Sequence, residues 1–244
     1  MTPAVATLAP PALLAISHGT SSPSGAAAVS ALVDAVTDAS PGVAVAGGFV
    51  DVQQPDVPTV LGGLPAGAQA VVVPLLLSAG YHVHVDLAQD AAAFDGVTVA
   101  GALGPDDRLV TLLGRRLAES GLRPDDAVVL AAAGSSDARA VADCAETALR
   151  LGDLLRRHVT VGYISAASPR LADAVAATRA AHPYCRVVVA SYLLAPGYFA
   201  DLAVAAGGDV TSAPLLASGA RVPTELVDIV LDRYADAAAT RASA

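Results

Sequence analysis

Short apolar runs alternate with stretches of helical periodicity along the whole chain. In the first half the strand-like runs are residues 13–17, 43–50, 70–76 and 97–100. Between them, residues 25–39 and 54–61 carry small and apolar side chains at helical spacing. Residues 108–120 predict a closing helix with Leu109, Leu112, Leu113 and Leu117 on one face. Ser120-Gly121 and Arg123-Pro124-Asp125-Asp126 then form a stop and a turn. The second half repeats this order, with strands at 127–132, 159–164, 186–193 and 209–213. Its helices are expected at 137–151, 169–181 and 223–238, the last placing Leu226, Ile229, Val230 and Tyr234 on one face. Near-continuous apolar strands separated by helices predict parallel sheets covered on both faces. The expected fold is therefore α/β, with two similar lobes, each a mainly parallel β-sheet flanked by helices, and an active cleft between the lobes. The lobes are expected at residues 12–121 and 126–238.

The halves also resemble each other residue by residue. LLAISHGTSS (13–22) matches VVLAAAGSSD (128–137), GFVDVQQP (48–55) matches GYISAASP (162–169), and VVVPLLLSAGYH (71–82) matches VVVASYLLAPGYF (187–199). The chain reads as one unit written twice, and the copies differ in their imidazoles. His18 corresponds to Ala133 and His82 to Phe199. A duplicated fold needs the glycines and apolar runs in both copies, but not the histidines, so those point to function.

With 244 residues and 54% apolar composition the chain buries a real core. Its apolar runs are too short to span a bilayer, which needs about 20 residues. The apolar N-terminus has no basic residue before it, so it is expected to be a loose tail rather than a secretory signal. Cys144 and Cys185 lack CxxC spacing and fit a reducing cytoplasm, with Cys144 a small core residue. There is no lysine, and the first arginine is Arg108, so residues 1–107 carry nine aspartates and no basic side chain. That excludes a nucleic-acid partner, which needs basic surface against phosphate. An acidic first half favours cations instead.

Ligands of parallel α/β sheets bind beyond the carboxyl ends of the strands, and His18, Asp51 and His82 lie at or just after three such ends. A lone histidine at a strand end is ordinarily a hydrogen-bonded or surface residue. Three polar groups at equivalent ends, two of them missing from the duplicate, favour function. Two neutral imidazoles and a carboxylate suit a divalent transition metal. If a helix starts there, His82 and Asp86 share a face, and Asp86 orients the His82 ring. His84 is not counted among the ligands. His158 and His182 read as surface residues near helix ends.

HGT (18–20), FVDVQQP (49–55) and GYHVHVDL (80–87) together resemble the signature of the sirohydrochlorin chelatases, the class II family that works without ATP. The resemblance covers the whole chain, because longer members contain two fused lobes. Asp51 stands where the family usually has glutamate, and Leu87-Ala88 where it has Ile-Pro. The resemblance implies a lyase that inserts a divalent metal into sirohydrochlorin, with His18 and His82 as the catalytic pair; Fe²⁺, giving siroheme, is the expected metal because demand for siroheme is widespread. His18, His82 and Asp51 would meet the metal. Gly19, Thr20, Ser21, Gly80, Tyr81, Ser135 and Ser136 would meet the macrocycle through hydroxyls and backbone N–H groups, and second-lobe arginines would supply charge to its carboxylates. The metal is a substrate, and no permanently bound cofactor is expected. The same ligands suit Co²⁺ and Ni²⁺, so a chelatase of cobalamin-type synthesis is the alternative, as is a non-catalytic tetrapyrrole or metal carrier. A histidine phosphatase is disfavoured because Ser17, not arginine, precedes His18. Two fused lobes let a monomer hold a complete site, with a homodimer as the alternative.

Overall fold

The computed structural model describes residues 10–78, 80 and 87–242. Its first half contains β1 (Ala12–Ser17), α1 (Pro23–Ala39), β2 (Val45–Phe49), α2 (Val57–Gly62), β3 (Ala70–Pro74), α3 (Leu87–Ala92), β4 (Val97–Val99) and α4 (Asp107–Glu119). The second contains β5 (Ala127–Ala132), α5 (Ala138–Leu155), β6 (Val159–Tyr163), α6 (Leu171–Ala181), β7 (Val187–Tyr192), α7 (Tyr198–Ala205), β8 (Val210–Thr211) and α8 (Thr224–Ala242). The strands form two sheets of identical topology, ordered β2-β1-β3-β4 and β6-β5-β7-β8, and every pairing is parallel. The predicted architecture is therefore the observed one.

Each central strand is buried on both faces, and its two faces enter different cores. Leu13 and Ala15 of β1 face inward, while Leu14 and Ile16 face α2 and α3. In β5, Val128 and Leu130 face inward, and Val129 and Ala131 face α6 and α7. The inward faces share one core with α1, α4, α5 and α8, so these four helices form a layer between the sheets.

Within that layer the closing helices are exchanged. Helix α4 packs on α5 and β7 of the second lobe, and α8 packs on α1, β3 and β4 of the first. The sequence predicts both helices and their apolar faces but not which sheet they cover. Polar anchors fix the exchange. Tyr234 of α8 donates to the Pro11 carbonyl (2.7 Å), and Arg233 donates to the carbonyls of Ala102 (2.8 Å) and Leu103 (3.0 Å). Arg116 of α4, buried, donates to the Leu215 carbonyl at 2.7 Å.

Two helices, α3 and α7, are absent from the predicted pattern. They have six and eight residues, and α2, also of six residues, is as short but does carry the predicted spacing.

Candidate active site

The carboxyl ends of β1 and β5 open into one cleft between the lobes, with a volume of about 710 Å³. The first lobe contributes His18, Gly19, Thr20, Ser21 and Gly80, and the second contributes Ser135 and Ser136. The structure thus gathers at one place every described residue named by number for metal or macrocycle, except Asp51. Gly80 and Ser135 face each other across the lobes, since a Cβ built on Gly80 would lie 3.2 Å from Ser135 Oγ.

Asp51 is next to His18 through the backbone, with its N–H donating to the His18 carbonyl at 3.0 Å. Its exposed carboxylate accepts from the Val52 N–H at 2.7 Å, and the cleft wall at this point is formed by Val52 and Gln53. His82, with Tyr81, His84 and Asp86, lies outside the described residues. Among the described residues there is no group of three or more His, Cys, Asp and Glu that could hold a metal ion.

Local geometry explains the H-G-T and G-S-S sequences. Gly19 and Gly134 adopt φ of +95° and +88°, and a Cβ on either would collide with the carbonyl oxygen of Asp51 or Ser165, respectively. Only glycine permits both the conformation and the approach. After each glycine the chain turns into a helix whose first N–H groups are capped by side chains. Ser22 caps α1 by accepting from the Gly25 N–H, and Asp137 caps α5 by accepting from the Arg139 N–H.

Several cleft residues have no counterpart among the sequence-level candidates. Gln53 Oε1 accepts from the Thr20 N–H (2.8 Å), tying the β2 end to the histidine loop. Tyr192, fully buried at the end of β7, donates to the Leu77 carbonyl of the other lobe at 2.8 Å. Burial pushes its phenol well above the usual tyrosine pKa, keeping it a neutral donor. Cys144 lines the cleft but is buried, and its thiol is pushed up to about 11, chiefly by burial. The repeated Gly-Tyr pair was the sequence signal for the 197–199 wall, and nothing in sequence singled out Gln53.

The arginines are placed otherwise than expected. Among the described residues no arginine lines the cleft. Arg108 instead pairs with Asp106 and Asp232, Arg115 with Glu225, Arg150 with Asp107 and Glu146, and Arg186 with Asp126. They fasten helices and lobes to each other, while hydroxyls, the His18 imidazole and the Gln53 amide are among the polar side chains of the described cleft lining.

A family model described as CbiX matches residues 12–120 and again 127–206. The chain belongs to the CbiX family. The first match spans β1 to β4 and the second β5 to β7, and together they bear out the resemblance carried by the three motifs. Among solved structures, SirB from Bacillus subtilis with Fe³⁺ is 20% identical, covering 96% of this chain and 98% of that one, with a TM-score of 0.73. The sirohydrochlorin chelatase SirB from Bacillus subtilis subspecies spizizenii, in complex with cobalt, is 18% identical over 95% of this chain and 96% of that one, also at 0.73. The structure of CbiX, described as the terminal enzyme for biosynthesis of siroheme in denitrifying bacteria, is 16% identical. It covers 91% and 98% of the two chains with a TM-score of 0.64. At these identities the likeness shows a common fold for the SirB and CbiX chains and this one. No curated protein sequence matches the chain. Among the described residues no helix is long and apolar enough to cross a membrane.

Proposed function

We propose that the protein is a sirohydrochlorin chelatase that inserts a divalent metal ion, Fe²⁺ by preference, into the macrocycle without ATP, giving siroheme. Supporting this reading is the position of His18, exposed at the mouth of a cleft to which both lobes contribute, in a chain of the CbiX family. His18 and His82 hold the metal through imidazole nitrogens and accept the pyrrolic protons that the ring sheds. An imidazole of ordinary pKa, about 6.5, serves both roles near neutrality. An open His/carboxylate set releases a metal more readily than a closed thiolate site does. Asp51, adjacent to His18, is the third candidate ligand, and Asp86 the partner that orients His82. Thr20, Ser21, Ser135 and Ser136 offer donors to the macrocycle carboxylates, helped by backbone N–H groups of Gly19 and Tyr81, while Gly80, whose N–H is held by the Ser78 carbonyl at 2.9 Å, lines the cleft beside them.

Domain boundaries are proposed at 12–121 and 126–238, with a monomer holding the complete cleft. Two free thiols suit a cytoplasmic setting. The test is anaerobic incubation of the protein with sirohydrochlorin and Fe²⁺, Co²⁺ and Ni²⁺, separately and in competition, following the absorbance of the metallated product. Fastest turnover with Fe²⁺ supports the siroheme role, fastest turnover with Co²⁺ or Ni²⁺ replaces it with the alternative chelatase, and binding without turnover makes the protein a carrier.

A further inference from the structure

Three large apolar side chains stand in water at the mouth of the cleft. Val52 is 57% exposed, Tyr198 68% and Phe199 37%, and all three line the cleft wall. Val52 comes from the first lobe and the aromatic pair from the second. Exposed apolar groups gathered at one cavity rim mark a binding surface rather than scattered surface hydrophobes.

The backbone beneath each side supports the same conclusion. Val52 has φ +66°, and the Gln53 N–H donates to the Asp51 carbonyl at 2.7 Å, closing a three-residue γ-turn with Val52 at its centre. The second lobe has the same turn at Ala166, φ +52°, closed by Ala167 and Ser165 at 2.6 Å. A β-branched residue in this region is strained, and strain of this kind is retained where a site uses it. In the first lobe it presents an isopropyl group to the cleft. On the other side, the Pro196-Gly197 segment abuts the histidine loop. A Cβ built on Gly197 would lie 3.2 Å from Thr20 Oγ1, and one on Gly25 would collide with the Pro196 carbonyl. Helix α7 therefore begins against the loop that carries His18. Its first two residues, Tyr198 and Phe199, have ring centroids 6.1 Å apart, tilted by 51°.

Resting on the chelatase reading, we infer that Val52, Tyr198 and Phe199 form an apolar clamp for the flat face of the tetrapyrrole macrocycle, holding it against the His18 loop. The face of a conjugated ring is apolar and polarisable and stacks on aromatic side chains, while its carboxylates lie at the periphery. A site with apolar walls and few polar groups binds the face and leaves the rim to hydroxyl and N–H donors. Phe199 occupies the position that corresponds to His82, so the second copy has an aromatic ring where the first has an imidazole.

The test uses metal-free sirohydrochlorin, titrated by its optical change into the full-length protein. Tyr198→Ala/Phe199→Ala is expected to weaken macrocycle binding about tenfold or more, equivalent to about 1.4 kcal/mol, with the Co²⁺ dissociation constant changed by less. The ring-preserving pair Tyr198→Phe/Phe199→Tyr is expected to restore binding. Val52→Gly relieves the positive φ, so it is expected to unfold no earlier than wild type while binding the macrocycle more weakly, a combination that loss of fold does not produce. If wild type binds and metallates sirohydrochlorin and the double alanine variant binds it as tightly, the clamp is overturned and the chelatase reading stands. If wild type neither binds nor metallates it, both fall.

Discussion

The Asp51 N–H donates to the His18 carbonyl at 3.0 Å, and at the equivalent point of the second lobe the Ser165 N–H donates to the Ala133 carbonyl at 2.9 Å. The two strand ends are thus held alike by main-chain bonds, whether or not a histidine is present. Fold and chemistry are separable here. Gly19→Ala and Gly134→Ala both force a Cβ onto a carbonyl oxygen at positive φ. Each is expected to cost about 1–3 kcal/mol, read as a lowered midpoint in denaturant unfolding. Gly19→Ala is further expected to reduce metallation at a temperature where both variants remain folded, because it displaces the His18 loop. Equal residual activity in the two would deny the first lobe its special role.

Tyr192 joins the lobes through the Leu77 carbonyl, five residues before His82. Tyr192→Phe leaves that carbonyl without its phenol donor, at an expected cost of about 1–3 kcal/mol. Because burial raises the phenol's pKa, the folded chain keeps its proton when the unfolded chain loses one at about 10. Wild-type stability is therefore expected to fall as pH rises above that value, and the Tyr192→Phe variant to show a shallower decline. Parallel slopes in alkaline unfolding curves would contradict the assignment.

Asp126, buried at the start of β5, receives two hydrogen bonds from Arg186 (2.9 and 2.6 Å) and one from the Arg123 N–H (2.7 Å). Hydrogen bonding to Arg186 holds its carboxyl below the usual range. A depressed carboxyl contributes stability above its unfolded pKa of about 3.9 and loses it as pH falls through the folded value. Asp126→Asn is expected to cost about 1.5–3 kcal/mol at neutral pH and to flatten the acid limb of the stability profile, measured by unfolding from pH 7 down to pH 3.

The two thiols should react unequally. Cys144 is buried with its thiol pushed up to about 11, whereas Cys185 is partly exposed. Since the thiolate is the reactive form, a thiol reagent near neutral pH is expected to label Cys185 first, and Cys185→Ser to remove that fast phase. Rapid modification of Cys144 in the folded chain would show that its environment is more open than described.

Much of this was legible in sequence because the duplication supplies an internal control. Near-continuous apolar runs such as 70–76 and 186–193 predict buried parallel strands, and His18 against Ala133 points to the cleft. The exchange of α4 and α8 was not legible. It depends on Arg116 meeting Leu215 and Tyr234 meeting Pro11, contacts between residues far apart in the chain whose apolar helix faces fit either sheet. Composition does not distinguish a cleft arginine from one that fastens two helices, as Arg108 and Arg115 do through Asp232 and Glu225. The order of strand ends predicts Asp51 near His18, and its N–H bonds the His18 carbonyl, but the sequence does not show that its carboxylate accepts from the Val52 N–H or that Val52 lines the cleft.

The central claim is that imidazole from the first lobe carries out metal insertion. The most direct measurement is the initial anaerobic rate of sirohydrochlorin metallation by wild type, His18→Ala and Asp51→Ala, at matched folded concentration and saturating macrocycle. The expected result is a wild-type rate above the spontaneous one, a loss well over tenfold in His18→Ala, as removal of a positioned acid–base group gives (about 10²–10⁴), and a raised metal requirement in Asp51→Ala. A His18→Ala rate near that of wild type would contradict the account.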